Sequence, residues 1–160
     1  YYLAENLMDM VSNQELKWKP ATGSNWMTVG QLLHHMTNAC GFCCKGFVTG
    51  NWGMPPNIDP KDIPQDQMLP PAEALKAVSS VAEAKRMLAE DKRLAFEMLE
   101  QCSEERLDTE IAHAPWDNEE IVLGQRMLAM ANHLQQHKGQ LFYYLKLMGK
   151  PVNTAHLWGE

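Results

Sequence analysis

The C-terminal third of the sequence carries its longest segment with helical periodicity, and this segment most constrains the fold. From about residue 118 to 148, apolar side chains recur every three or four residues, the spacing of one helix face. The stripe is formed by Met127, Met130, Leu134, His137, Leu141, Tyr144 and Met148. Asp117-x-x-Glu120 has the spacing of a capping box, and Gly149 with Pro151 is typical of a helix end. The sequence therefore predicts one long amphipathic helix here.

Two histidines lie on this predicted helix. His133 and His137 are four residues apart, so their imidazoles stand on the same face, one turn from each other. His137 falls within the apolar stripe, and His133 lies beside it. A metal ion can bridge such a pair with little backbone strain, but a catalytic metal usually takes a third protein ligand.

A second helix is predicted over residues 29–48, opened by the capping box Thr28-x-x-Gln31. Its two adjacent histidines fall on different faces. His35 shares an apolar row with Leu32, Ala39 and Phe42. His34 shares a polar row with Gln31, Thr37, Asn38 and Lys45. An interior ligand on this helix is therefore expected to be His35.

Two further helices are predicted, over residues 1–16 and 72–102. The later one keeps a heptad-like spacing in which Asp91 takes a position where an apolar residue is expected. We expect Asp91 to reach solvent at the edge of the core. The alternative is that its carboxylate accepts a hydrogen bond from a ligand histidine.

Residues 50–71 contain six of the nine prolines and show no helical or strand pattern. A loop of this length is expected to cross the bundle in an ordered conformation, with Trp52 and Met54 as anchors. Trp18 and Trp26 are expected to cap one end of the core. Together with Trp116 and the proline-rich loop, they offer the walls of a possible pocket.

These elements predict an all-α four-helix bundle that forms a single domain over residues 1–160. The net charge of −6, with acids and bases interspersed, argues against nucleic acid as a partner. No apolar run approaches the roughly 18 residues of a membrane span, and no signal peptide is evident. The four cysteines do not resemble a secreted disulfide framework, which favours a cytoplasmic protein.

The remaining histidines and the cysteines have plainer interpretations. A single Glu110-x-x-His113 lacks the second copy that a di-iron bundle requires, and residues 108–116 are expected to be irregular, so His113 is placed on the surface. His156 is assigned to packing or surface. Cys43 follows His35 by eight residues, about 12 Å along a helix, so the cluster of cysteines is expected to be buried rather than to share a metal with His35. The members of this cluster are Cys40, Cys43 and Cys44.

The usual interpretation of a lone histidine on an apolar face is a satisfied core residue. Here three of the six histidines fall at interior helical positions: His35, His133 and His137. Burying three imidazoles without a shared partner would carry several desolvation penalties. Neutral imidazole is a good metal ligand, so a shared metal ion would remove that cost.

Longer motifs support this choice. The segment Trp26-Met-Thr-Val-Gly-Gln-Leu-Leu-His-His35-Met is followed downstream by His133-x3-His137-x-Gly139-Gln140, then by Tyr143-Tyr144-Leu145 and Gly149-Lys-Pro151. Together they resemble the DinB/YfiT-like family of proposed metalloenzymes. The motif around His137 is fairly specific, whereas the earlier one is looser. The adjacent cysteines are a departure from the family pattern.

The resemblance implies a four-helix bundle, often dimeric, with metal ligands at His35, His133 and His137. It implies a divalent ion, zinc or nickel, with open coordination positions. Relatives include S-transferases and isomerases that use low-molecular-weight thiols, so the expected partner is a small-molecule substrate. The expected function is a metal-dependent thiol S-transferase. Alternatives are a metal-dependent hydrolase, a non-catalytic metal-binding or stress-response bundle, and a structural helical dimer.

Overall fold

The computed structural model describes residues 1–55, 58, 63–64, 67 and 70–159. Seven α-helices are present in this part of the chain: α1 Tyr2–Met8, α2 Val29–Met36, α3 Gly41–Thr49, α4 Val81–Glu100, α5 Glu104–Thr109, α6 Leu123–Leu147 and α7 Thr154–Trp158. Two short 3-10 helices cover Asn13–Lys17 and Ala72–Ala74. A small antiparallel hairpin pairs β1 Ile111–Ala112 with β2 Ile121–Val122, in a register that places Ile111 opposite Val122. The predicted all-α bundle is confirmed.

The long helix α6 is the centre of the bundle. It packs against α1, α2 and α3, and α4 packs against α3. Four members of the predicted stripe are buried: Met127, Leu134, Leu141 and Tyr144. They meet a fully buried set from the first two helices: Leu7, Met8, Val29, Leu32, Leu33 and Met36. Helical spacing of apolar residues therefore builds one continuous core. None of the helices in the described ranges is long and apolar enough to cross a membrane.

The helix predicted over residues 29–48 is two helices, so that prediction is wrong. The Thr37 hydroxyl and the Asn38 amide both donate to the carbonyl of His34, at 2.7 and 3.0 Å. These short-range bonds replace the helical ladder and end α2 at Met36. As a consequence Phe42 does not continue the row of His35, and its side chain is 41% exposed.

The polar row around His34 is only partly exposed to solvent, in contrast to the prediction. Gln31 and Thr37 are buried, and His34 itself is half-buried. The Gln31 amide donates to the carbonyls of Glu73 and Leu75, which satisfies it away from water. Polar side chains in this row are therefore used inside the fold rather than in solvent.

Asp91 follows neither predicted interpretation. It is only 4% exposed, and its carboxylate accepts hydrogen bonds from the Phe42 backbone N–H at 3.0 Å and the Tyr1 hydroxyl at 2.7 Å. The backbone N–H belongs to the first turn of α3, where helical partners are lacking. Asp91 therefore satisfies the start of α3 from another helix. Burial raises the pKa of its carboxyl group, and these hydrogen bonds oppose that rise.

Gly41 lets α3 approach α4 closely. A Cβ atom on Gly41 would lie 1.9 Å from the carbonyl oxygen of Asp91 and 2.8 Å from its carbonyl carbon. These are main-chain atoms within α4, which a side-chain rotation does not move. The contact between the two helices therefore requires glycine at this position.

The remaining boundaries differ in detail. The first predicted helix ends at Met8 and resumes as the 3-10 helix Asn13–Lys17. The third predicted helix starts at Val81, after the Ser80 hydroxyl accepts from the Glu83 backbone N–H at 3.1 Å. The first helix thus ends earlier, and the later one starts later, than the apolar spacing indicates.

The segment before α6 is more ordered than predicted. Residues 108–116 include the end of α5 and strand β1. The Asp117 carboxylate pairs with the buried guanidinium of Arg126, which also donates to the carbonyls of Ala112 and Glu119. Asp117 therefore does not cap α6, which begins at Leu123.

Trp52 anchors the start of the proline-rich loop, as predicted. Its ring packs edge-on against Phe47 at 5.0 Å and Trp116 at 5.4 Å between centroids. Met54 is 37% exposed and is a poorer anchor than expected. The rest of the predicted crossover falls largely on residues 56–57, 59–62, 65–66 and 68–69, which lie outside the described residues.

The close approach of α3 and α4 leads to a stability prediction with an internal control. Gly41→Ala should lower the free energy of unfolding by about 1–3 kcal/mol, because the main chain must shift to admit the methyl group. Gly139→Ala should leave it unchanged or raise it by about 0.5–1 kcal/mol, because nothing lies within 4 Å of the added Cβ and alanine is the better helix former. Urea unfolding of both variants provides the measurement. Equal effects at the two positions would contradict this account of the helix contact.

Candidate metal centre

Two helices bring three imidazoles together. His35 lies in the last turn of α2, and His133 and His137 lie one turn apart on α6. The packing of α2 against α6 places the first ring opposite the other two. The Nε2 atom of His133 lies 3.2 Å from that of His35 and 2.9 Å from that of His137. One ligand atom from each residue lies within 4.8 Å of the others, so the three residues singled out by the sequence do converge.

The local environment keeps these rings neutral. Burial, together with repulsion from the neighbouring His137 and His133, lowers the pKa of His35 to about 4. Burial is also the largest cause of the lowered pKa of His133, with a smaller contribution from His137. The pKa of His137 is lowered by burial and partly restored by its hydrogen bond with Gln140. A neutral imidazole offers one nitrogen lone pair, which is the form that binds metal ions.

The hydrogen-bonding capacity of the cluster is too small for its contacts. Each Nε2–Nε2 contact needs a proton on one of its two nitrogens, and His133 takes part in both. The Nδ1 atom of His137 is occupied by the Gln140 side-chain oxygen at 3.0 Å, which leaves its Nε2 facing the cluster. A cation among the three nitrogens would instead accept a lone pair from each of them.

The spacing of the nitrogens also suits a metal ion. Two ligands bound at about 2.0–2.1 Å to a tetrahedral ion are roughly 3.3 Å apart. The observed contacts of 2.9 and 3.2 Å are close to that separation. The cluster could therefore hold a metal after a small outward movement of the rings. That the three histidines are metal ligands remains a prediction.

The other three histidines lie outside the cluster. His113 is exposed, as predicted. His156 hydrogen-bonds with Asn153 through Nδ1 and belongs to the start of α7. His34 is adjacent to His35 in sequence, but it is not part of the converging set found among the described residues.

Sequence reasoning missed the role of Gln140. In the sequence, Gln140 stands out only as the last residue of the motif around His137, yet its side chain contacts His137 directly. The signal was available, because residues three apart on a helix lie on the same face. Tyr144 was expected in core packing, and it is buried, but its hydroxyl also bonds with Gln140.

The tryptophans fall into two groups. Trp18 and Trp26 pack edge-on against Tyr144, with ring centroids 5.3 and 6.2 Å away. They therefore cap the end of the core near the histidine cluster, as expected. Trp116 packs against Trp52 and Phe47, on the side of the bundle where the proline-rich loop starts.

Fold and site together define a helical bundle with a three-histidine cluster between two of its helices. The family profile described as DinB superfamily matches residues 2–141. The chain belongs to the DinB superfamily, which confirms the resemblance seen in its motifs. Comparison with curated proteins gave no match, and comparison with solved structures gave none.

The lowered pKa values predict how the metal-free fold responds to pH. An unfolded histidine binds a proton below about pH 6.5, whereas folded His35 resists protonation down to about pH 4. The unfolded state therefore binds more protons in this interval, so stability contributed by this site is lost as the pH falls through it. Urea unfolding in the presence of chelator should show that His35→Gln reduces this pH dependence. The exposed-site control His113→Gln should retain it, and identical pH dependence in all three proteins would contradict the prediction.

Proposed function

We propose that this protein binds a divalent metal ion through His35, His133 and His137 and uses it in a metal-dependent reaction. The observation that carries the proposal is the convergence of three imidazoles in which Nε2 of His133, with either one proton or one lone pair, faces both other Nε2 atoms. An all-imidazole ligand set favours borderline metals, and zinc and nickel are our candidates.

The arrangement supports catalysis better than a purely structural role. Three protein ligands leave at least one position of a four-coordinate ion free, which is typical of catalytic sites rather than closed structural ones. When bound, the ion would supply Lewis acidity and lower the pKa of a thiol or water that occupies the free position. The rings of His133 and His137 are half-buried, so this position is not sealed within the core.

Residues of this chain would hold the ligand rings in place around the metal and limit the access of water to it. Gln140 holds the ring of His137 through Nδ1, and Gln140 in turn contacts the buried Tyr144, against which the half-buried ring of Trp18 packs. Trp26 is partly exposed beside Tyr144, where a flat apolar surface is available to a ligand. These features suit a small molecule that combines an apolar part with a metal-binding group.

We assign the reaction, by analogy with thiol-dependent members of the family, to transfer of a low-molecular-weight thiol onto an electrophile. This analogy supports the reaction class only. The site itself supports a small nucleophile activated at neutral pH, and both thiol transfer and hydrolysis satisfy that requirement.

Metal binding should distinguish the two adjacent histidines of α2. His35→Ala should abolish stoichiometric binding of zinc or nickel, because it removes one of three ligands. His34→Ala should retain it, because this side chain is outside the converging set. Elemental analysis after dialysis measures stoichiometry. Melting curves with and without chelator should show that the metal raises the melting temperature of the wild type and of His34→Ala only, since binding to the native state adds stability. Equal metal content in the two variants would show that His35 is not a ligand.

The second prediction concerns the reaction. Protein loaded with zinc or nickel should accelerate the addition of glutathione, bacillithiol or mycothiol to model electrophiles, and His137→Ala should abolish the acceleration. The surface variant His113→Ala is the matched control and should keep it. Metal-dependent hydrolysis of simple esters or amides, without thiol transfer, would replace the transferase with a hydrolase. Bound metal with neither activity would favour a non-catalytic metal-binding protein.

A further inference from the structure

We propose that Gln140 and Tyr144 act as positioning residues which fix the ring tautomer of His137, with the main-chain carbonyl of Met27 as the fixed end of the chain of hydrogen bonds. The chain runs from Met27 through Tyr144 and Gln140 to His137. Its effect on metal affinity rests on the proposed function, whereas its effect on the tautomer does not.

The direction of every bond in the chain follows from its first member. A carbonyl oxygen only accepts, so the Tyr144 hydroxyl must donate to Met27, 3.0 Å away. The same hydroxyl oxygen lies 3.1 Å from the Gln140 side-chain nitrogen, and its one proton is already used. Tyr144 must therefore accept from the amide group of Gln140.

This fixes the orientation of the Gln140 amide. Its NH₂ group is directed at Tyr144, so its oxygen is directed at Nδ1 of His137, 3.0 Å away. That oxygen only accepts, and Nδ1 must carry the proton. A neutral His137 then has its lone pair on Nε2, the atom that lies 2.9 Å from Nε2 of His133. The tautomer needed for a ligand is thus set by the Met27 carbonyl, three hydrogen bonds away from His137.

The start of the chain is rigidly held. Tyr144 is 2% exposed and lies between the rings of Trp18 and Trp26. Met27 directly precedes Thr28, whose side chain caps α2, and the Val29 N–H donates to the Trp18 carbonyl at 2.8 Å. The carbonyl is therefore fixed by the same turn that starts α2, the helix that carries His35. The chain of bonds thus links the starting turn of α2 to the ligand face of α6.

The first experiment reads the tautomer directly in metal-free protein. Long-range proton–nitrogen correlation spectra of protein with ¹⁵N-labelled histidine distinguish protonated from unprotonated ring nitrogens. They would be recorded well above the ordinary histidine pKa of about 6.5. We expect His137, assigned by comparison with His137→Gln, to be protonated at Nδ1. A proton mainly on Nε2 would overturn the proposal.

The second experiment removes members of the chain, each with a matched control. Tyr144→Phe deletes only the hydroxyl, and Tyr143→Phe is its control, since Tyr143 is 62% exposed on the same helix. Gln140→Leu removes the contact with His137, and Gln136→Leu is the control at an exposed position. Gln140→Leu tests the proposal even if Tyr144→Phe does not fold, because Gln140 is only half-buried.

We expect both test variants to give a mixture of His137 tautomers, and both controls to match the wild type. Partners of metal-bound histidines typically contribute about 10- to 100-fold to metal affinity. Gln140→Leu should therefore weaken zinc affinity, measured by competition with a chromophoric chelator, by that factor, and Tyr144→Phe by about tenfold. An unchanged tautomer in both folded test variants would overturn the proposal. If wild-type protein binds no zinc, the proposed function fails, and the spectra of metal-free protein still decide whether the chain of bonds sets the tautomer.

Discussion

The contact between the first turn of α3 and the middle of α4 is the constraint on which the rest of the bundle depends. At this point Gly41 lies against the main chain of α4, and the carboxylate of Asp91 accepts from the N–H of Phe42. Together they fix where α3 begins, after the bonds of Thr37 and Asn38 have ended α2. Because α2 stops at Met36, its last turn is free to follow its own direction across α6 and to carry His35 onto the other two histidines. A continuous helix would have held His35 to the direction of α3.

Two buried polar groups in this fold are satisfied in opposite ways. Asp91 is buried, but its oxygens receive bonds from the Phe42 N–H and the Tyr1 hydroxyl. The carboxylate is thus satisfied within the chain, and its role is structural. The histidine cluster is different, because His133 shares one Nε2 proton at most between two contacts. Burial keeps the rings neutral, so Nε2 of His133 can complete only one of its two contacts as an ordinary hydrogen bond. Incomplete satisfaction of this kind, in an otherwise well-packed core, marks the cluster as a possible metal site.

The spacing of residues in the sequence correctly predicted the features that depend only on the geometry of a single helix. The stripe on α6 and the pairing of His133 with His137 needed only the repeat of a helix, and both were predicted from spacing. That His35 rather than His34 joins the converging set also followed from spacing, because the helix is regular from Thr28 as far as Met36. The spacing of apolar residues indicated nothing of the break that follows, since Thr37 and Asn38 end the helix by bonding to a carbonyl three and four residues back.

The features that sequence reasoning missed depend on partners far along the chain. Asp91 acts on a turn 49 residues earlier, and nothing near it in the sequence indicates that a buried N–H lies opposite. The hairpin before α6 is held by Arg126, whose guanidinium donates hydrogen bonds to Asp117 and to two main-chain carbonyl groups. Sequence patterns usually assign charged residues to the surface. They therefore fail to predict buried charged residues that bind main-chain groups. The family motif placed Gln140 beside His137 without indicating which groups face it.

The three histidines are not equivalent in how the fold supports them. His133 and His137 are held by a 25-residue helix, so their separation is set by local geometry and survives small changes elsewhere. His35 comes from an eight-residue helix, and its position depends on packing between α2 and α6. A metal bound to all three would connect these helices directly and add its binding free energy to that packing. The hydrogen bonds from Met27 to His137 join the same two helices from the other end of α2. The geometry of the histidine cluster and the helix packing are therefore coupled, and a change at the turn before α2 reaches the cluster through both His35 and His137.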